Sequence, residues 1–158
     1  MIRTRVLGCD SVEVADSYNN ISSVYSTPND YEKALRQYQK SLEIKVRVHG
    51  QKHALVVDSH HNMGIIYLKQ GKDEEALEQF NKSLEISIRV YGQDHPDVAI
   101  TKYGMGLVYE RRNEMDMARE LFLVCQQIYC KVHGPGHRIT VDAANAAQRA
   151  SRCAEESV

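Results

Sequence analysis

The sequence is short of the features that mark most functional classes. Neither charge is in excess: 20 Lys and Arg stand against 21 Asp and Glu, a formal net charge of −1. Sustained contact with a phosphate backbone needs a dense basic field, so no nucleic-acid partner is expected. No apolar run reaches membrane-spanning length, and the opening MIRTRVLGCD is no signal peptide. The expectation is a cytoplasmic protein with no membrane partner. The four cysteines (Cys9, Cys125, Cys130, Cys153) lack paired short spacing. Cys125 and Cys130, five apart, fall on different faces of one helix, and all four read as reduced thiols. There is no nucleophile elbow, no glycine loop to cradle phosphate and no paired carboxylates at a defined site. No enzymatic role, catalytic residue or cofactor is therefore assigned.

What the chain has instead is a period. Ala34, Ala76 and Ala118 are 42 residues apart, as are Tyr25, Tyr67 and Tyr109. The same step links Tyr38, Phe80 and Phe122, then Gly50, Gly92 and Gly134, then His53, His95 and His137. A fixed period of this size marks a stacked array of helix pairs, each copy burying its apolar side against its neighbours. The predicted fold is all-α, a right-handed superhelical solenoid of antiparallel helix pairs forming a single domain. The period divides it into a tail at residues 1–10, repeats at 11–52, 53–94 and 95–136, and a capping segment at 137–158.

Residues 1–7 align with the end of a later second helix at a shift of 84, twice the period, with Arg5-Val6 on Arg89-Val90 and Gly8 on Gly92. They read as the tail of a helix whose own repeat is missing: either the chain is cut from a longer array, the preferred expectation, or its first repeat is truncated. The first full repeat predicts helices near Val12–Ser26 and Tyr31–His49. Asn29, Gly71 and Asn113 share one slot between paired helices. Gly and Asn most readily take the left-handed conformation that closes a helix, so a tight turn is expected there in each copy. In the second helix of the second repeat, Leu77, Phe80, Leu84, Ile88 and Tyr91 step by three or four and predict the buried stripe. In the third copy Leu35 and Leu77 give way to Arg119, and Leu42 and Leu84 to Gln126. Leu121, Val124 and Ile128 then predict a stripe displaced from the earlier ones. A last helix, near Arg138–Cys153, is small and polar and reads as the array's solubilising cap.

Three candidate chemistries resolve against the period. His60-His61 with His53 lacks any cysteine or carboxylate cluster to complete a tetrahedral set, so no metal site is assigned. His53, His95 and His137 recur with the repeat, which points to a turn-forming role. His95-Pro96-Asp97 is also the tripeptide of J-domain cochaperones, but it fills the same turn as His53-Ala54-Leu55 and His137-Arg138-Ile139. It is read as coincidence.

Each copy also carries a small residue, Tyr three later, Ala nine after that, and an aromatic four further on. In the second copy these are Gly64, Tyr67, Ala76 and Phe80; in the third, Gly106, Tyr109, Ala118 and Phe122; in the first, Ser22, Tyr25, Ala34 and Tyr38. The pattern resembles the tetratricopeptide repeat (TPR), whose usual length is ~34 residues. The longer period, with Asn-x-Gly-x-x-Tyr and Gly-x-x-His-Pro-x-Val, resembles the repeats of kinesin light chains. Similar repeats occur in nephrocystin-like proteins and in sensor arms of signalling ATPases.

The resemblance implies that first helices line a concave groove holding an extended peptide, with a groove asparagine bonding the peptide backbone. An amide suits that task because it both donates and accepts. The matching positions are Asn20 and Asn62, and the third copy departs with Gly104. Specificity would come from Asn19, His61, Ile65, Lys69, Tyr103, Leu107 and Arg111, alongside Asp16, Ser23 and Asp58. Lys69 and Arg111 could hold an acidic group, while Ile65 and Leu107 shape an apolar pocket. The sequence is thus read as a non-enzymatic scaffold or adaptor that captures a protein or peptide segment. Two other readings stand beside it. One is the sensing arm of a larger NTPase or kinase; the other is a self-assembling array that homo-associates through its N-terminal half-repeat.

Overall fold

The computed structural model describes residues 30–156. Their regular structure is six α-helices: α1 (Tyr31–His49), α2 (Val57–Gln70), α3 (Asp73–Tyr91), α4 (Pro96–Arg111), α5 (Met115–His133) and α6 (Arg138–Glu156). A 3-10 turn, Ala54–Val56, leads into α2. The N-terminal tail, the opening helix expected near Val12–Ser26, and Asn29 lie outside the described residues. The chain forms two compact units, Met1–Ile86 and Ser87–Val158, with the division falling within α3.

In the first unit α1 packs on α2, and α2 runs antiparallel to α3. The direction follows from two contacts: early Val57 accepts from Ser83, while later Gly64 meets the earlier Phe80. Ala34, Tyr38, Leu42, Val56, Val57, Met63, Ile66 and Ile86 form the core. In the second unit α5 lies against both α4 and α6. There Ala118 and Phe122 of α5 meet Ala146, Ala147 and Ala150 of α6. Fully burying a large side chain such as Phe122 contributes roughly 1.5–3 kcal/mol, and each alanine less.

Close approach of the paired helices is set by glycine. A Cβ added at Gly64 would lie 2.7 Å from the Phe80 ring, and one at Gly106 would lie 2.6 Å from the Phe122 ring. Real side-chain carbons do not come so near, so each aromatic occupies the space that the missing side chain vacates. The turn that returns the chain is also repeated. Gly71 is left-handed, and Asn113 takes the same region with φ 62°, as the shared slot predicts. Lys72 N–H donates to Tyr67 C=O at 2.9 Å, and Glu114 N–H donates to Tyr109 C=O at 2.9 Å, closing the two helices identically.

The buried stripe differs from the expectation. Leu77 and Phe80 are buried, but Leu84 and Ile88 are only half-buried, and Tyr91 is 43% exposed. The stripe instead runs through Ala76, Phe80, Ser83 and Ile86, with Ser87 also inside. Serine reads as polar in a sequence, yet Ser83 Oγ donates to the Val57 carbonyl at 3.2 Å, so its burial leaves no unmet donor.

The displaced third stripe is likewise corrected. Ala118, Phe122, Cys125 and Ile128 are buried at the positions of Ala76, Phe80, Ser83 and Ile86. Leu121 and Val124 are half-buried flanks. Helix α1 repeats the register with Ala34, Tyr38, Ser41 and Ile44. All three second helices therefore bury one and the same face. Burial pushes the Cys125 thiol up to about 12, which leaves it protonated and unreactive. Cys125, Cys130 and Cys153 form no disulfide.

Candidate partner-binding face

A first helix buries one side against its neighbours and leaves the other outward. On α2, Val57, Ser59, Met63, Gly64 and Ile66 are buried. The opposite side, at spacings of three and four, presents Asp58, His61, Asn62, Ile65 and Lys69. Asn62 and Ile65 are half-buried, while Asp58 and Lys69 are exposed. The structure therefore brings together an amide, an apolar side chain and charges of both signs on one helix face. Asn19 and Asn20 lie outside the described residues.

His61 shares this face but is partly committed to packing. Its ring lies 5.6 Å from that of Phe80, tilted by 54°. Burial holds its imidazole below the usual histidine range, against an opposing pull from the Asp58 carboxylate. The adjacent His60 turns elsewhere: its Nδ1 lies 2.9 Å from Gln79 Oε1, an acceptor, so Nδ1 carries the proton. Burial lowers that imidazole too.

On α4 the corresponding positions are Ile100, Tyr103, Gly104, Leu107 and Arg111. Tyr103 and Leu107 pack against the cluster that α5 and α6 build, and the Tyr103 ring lies 5.2 Å from Phe122. Burial, with the Asp142 carboxylate nearby, raises the Tyr103 hydroxyl above its usual range. Arg111 is exposed in the last turn. Two further residues of this unit escaped the sequence reading. Arg149 of α6 donates to both carboxylate oxygens of Glu110, at 2.6 and 3.1 Å, tying α6 to α4. The period held the clue, because Arg149 stands 42 residues after Leu107.

The recurrent histidines are helix caps. His53 Nδ1 accepts from Leu55 N–H at 3.2 Å, His95 Nδ1 from Asp97 N–H at 3.2 Å, and His137 Nδ1 from Ile139 N–H at 3.3 Å. An acceptor two residues before a helical N–H fills the place usually held by Ser, Thr, Asp or Asn. Each imidazole also stacks on the ring four residues earlier: His49 at 4.5 Å, Tyr91 at 4.2 Å and His133 at 4.8 Å. The exposed Tyr91 thus serves the turn rather than the core. The tripeptide at His95 is accounted for by the same geometry, with Pro96 opening α4.

The tetratricopeptide repeat model matches residues 2–47, 30–87 and 55–131. The chain belongs to the tetratricopeptide repeat family. Solved structures agree on the fold. The nearly identical TPR-like repeats assigned to a kinesin light chain of Podosopora anserina align with a TM-score of 0.81 at 16% identity. That alignment covers 92% of this chain and 69% of the other. BtubC (BKLC) from P. vanneervenii aligns with a TM-score of 0.76 at 19% identity, over 98% of this chain and 66% of that one. No curated protein matches the sequence significantly. The array thus shares the fold of kinesin-light-chain-like TPR repeats, an all-α repeat fold of the kind that serves as a protein-interaction scaffold. Among the described residues no helix is long and apolar enough to cross a membrane.

Proposed function

We propose that this TPR array is a non-enzymatic adaptor that captures an extended segment of a partner protein along the outward face of its first helices. The observation that carries the reading is the α2 face, where Asn62 lies beside Ile65 and Lys69 on the side turned away from the buried one. An extended segment offers a backbone N–H and C=O at every residue. A side-chain amide matches both regardless of the segment's sequence. Ile65 supplies apolar contact for a neighbouring side chain, and the exposed Lys69 offers a positive charge to a carboxylate of the partner. Asn20 carries the same role in the first repeat by its register with Asn62. Gly104 cannot, so capture centres on the first two repeats.

The test is Ala substitution of Asn20 and Asn62 together, followed by capture of partners from a lysate and circular dichroism of the variant. The double variant should retain its helical signal and melting behaviour while losing the partners held by the parent chain. A folded variant that captures the same partners undiminished would refute the face.

A further inference from the structure

We infer that two of the three Gly-x-x-His joints are acid-released and the third is acid-resistant. Each joint depends on an imidazole that accepts a backbone hydrogen bond through Nδ1. In a neutral ring that is possible only when the proton sits on Nε2. A second proton has one place to go, Nδ1, and there it replaces the acceptor with a donor facing a donor. The cap is lost, and a positive ring is left at the positive end of the following helix. Histidine is the side chain whose charge changes near neutral pH, so mild acid is the trigger.

The three joints differ in what surrounds the ring. His53 faces His49 at 4.5 Å, with Lys52 next in the chain. His137 faces His133 at 4.8 Å and Tyr129 at 5.4 Å. Both caps therefore stack on a second imidazole, and charging both rings of a pair places like charges face to face. His95 instead faces Tyr91 at 4.2 Å, and its Nδ1 lies 3.6 Å from Asp97 Oδ2. A proton on His95 gains the Asp97 carboxylate as partner and meets no second imidazole across its stack; the phenol ring is not what separates the joints, because His137 has one as well. Acid thus loosens the joints that lead into α2 and α6, and the joint into α4 is held by an ion pair that replaces the cap.

Amide hydrogen exchange read by NMR tests this on the intact chain, with intrinsic rates corrected for pH and imidazole resonances followed alongside. Between about pH 7.5 and about pH 5.5, the Leu55 and Ile139 amides should lose roughly fivefold in protection, the size of one N-cap removed. Replacing His53 and His137 with Asn, a capping side chain that does not titrate, should leave both amides protected at the lower pH. Asp97→Asn should make the early amides of α4 acid-labile as well. Unchanged protection at Leu55 and Ile139 while the rings charge would overturn the inference. So would rings that stay neutral down to the lower pH.

Discussion

Helices α2 and α4 are copies one period apart, and they share most of their buried positions while differing in chemistry at the rest. Gly64 and Gly106 each admit an aromatic ring of the following helix, and Ser59 and Thr101 are each buried on the same side. The remaining positions share no such rule: on α4 Gly104 is itself buried, and Tyr103 and Leu107 pack on the cluster of α5 and α6. Asn62, Ile65 and Lys69 of α2 answer to Gly104, Leu107 and Arg111 of α4, and His61 answers to Tyr103. What packs is fixed by geometry that each repeat must reproduce. What faces outward is left to vary, and a partner can be read only there.

If the two copies share one packing geometry, their aromatics should be interchangeable in energy. Phe80 and Phe122 are both fully buried and both seated on a glycine. Phe80→Ala and Phe122→Ala should each cost about 3–5 kcal/mol by the usual sum of transfer and cavity terms. Urea denaturation of the two variants measures this. A gap of more than about 1.5 kcal/mol, the size of a tolerated core swap, would show that the copies are not equivalent.

The period, the helix ends and the turns were legible because each rests on local chemistry. Gly71 and Asn113 share one left-handed slot, and His53, His95 and His137 share one cap. The buried stripe was less legible. Ser83 and Ser87 look like surface residues until a helix close enough to accept from Ser83 is present. Leucines at positions 84 and 121 look like core, yet both are half-buried flanks of the stripe. Of the candidate face, Asn62, Ile65 and Lys69 were picked out by the family resemblance, and helical spacing adds only that they share one side of α2. The packing of Tyr103 and Leu107 could not be read in this way, because it depends on the alanines of α6.

Acid separates α2 from α4 a second way. His60 and His61 of α2 both sit below the usual histidine range because burial disfavours their charged form. A histidine depressed in the folded state contributes stability that is complete above the unfolded value near 6.5. That stability falls as pH drops from there toward the folded value, because the unfolded chain takes up the proton first. Lys102 and Tyr103 occupy these positions in α4, so it has no such response. Placing the α4 residue in α2, as His61→Tyr, should flatten the decline in urea midpoint below about pH 6.5, with the ring still able to meet Phe80. An unaltered slope would remove His61 from the account and leave His60, whose Nδ1–H bond to Gln79 and neighbouring Lys82 and Glu78 set the balance.

The smallest expected effect concerns the tie between α4 and α6. Arg149 grips Glu110 with two hydrogen bonds, which favours specificity of geometry, yet half of its side chain remains exposed to water. Solvent screening limits such a pair to about 0.2–1 kcal/mol. Arg149→Ala should therefore shift the urea midpoint only slightly, and high salt should weaken the parent pair by a similar amount. The local consequence should exceed the global one: with the guanidinium gone, α6 is held to this unit chiefly by its buried alanines, Ala143, Ala146, Ala147 and Ala150, and its amides should exchange sooner than those of α5. If α6 exchange is unchanged in Arg149→Ala, the alanine contacts suffice and the ion pair adds orientation without attachment.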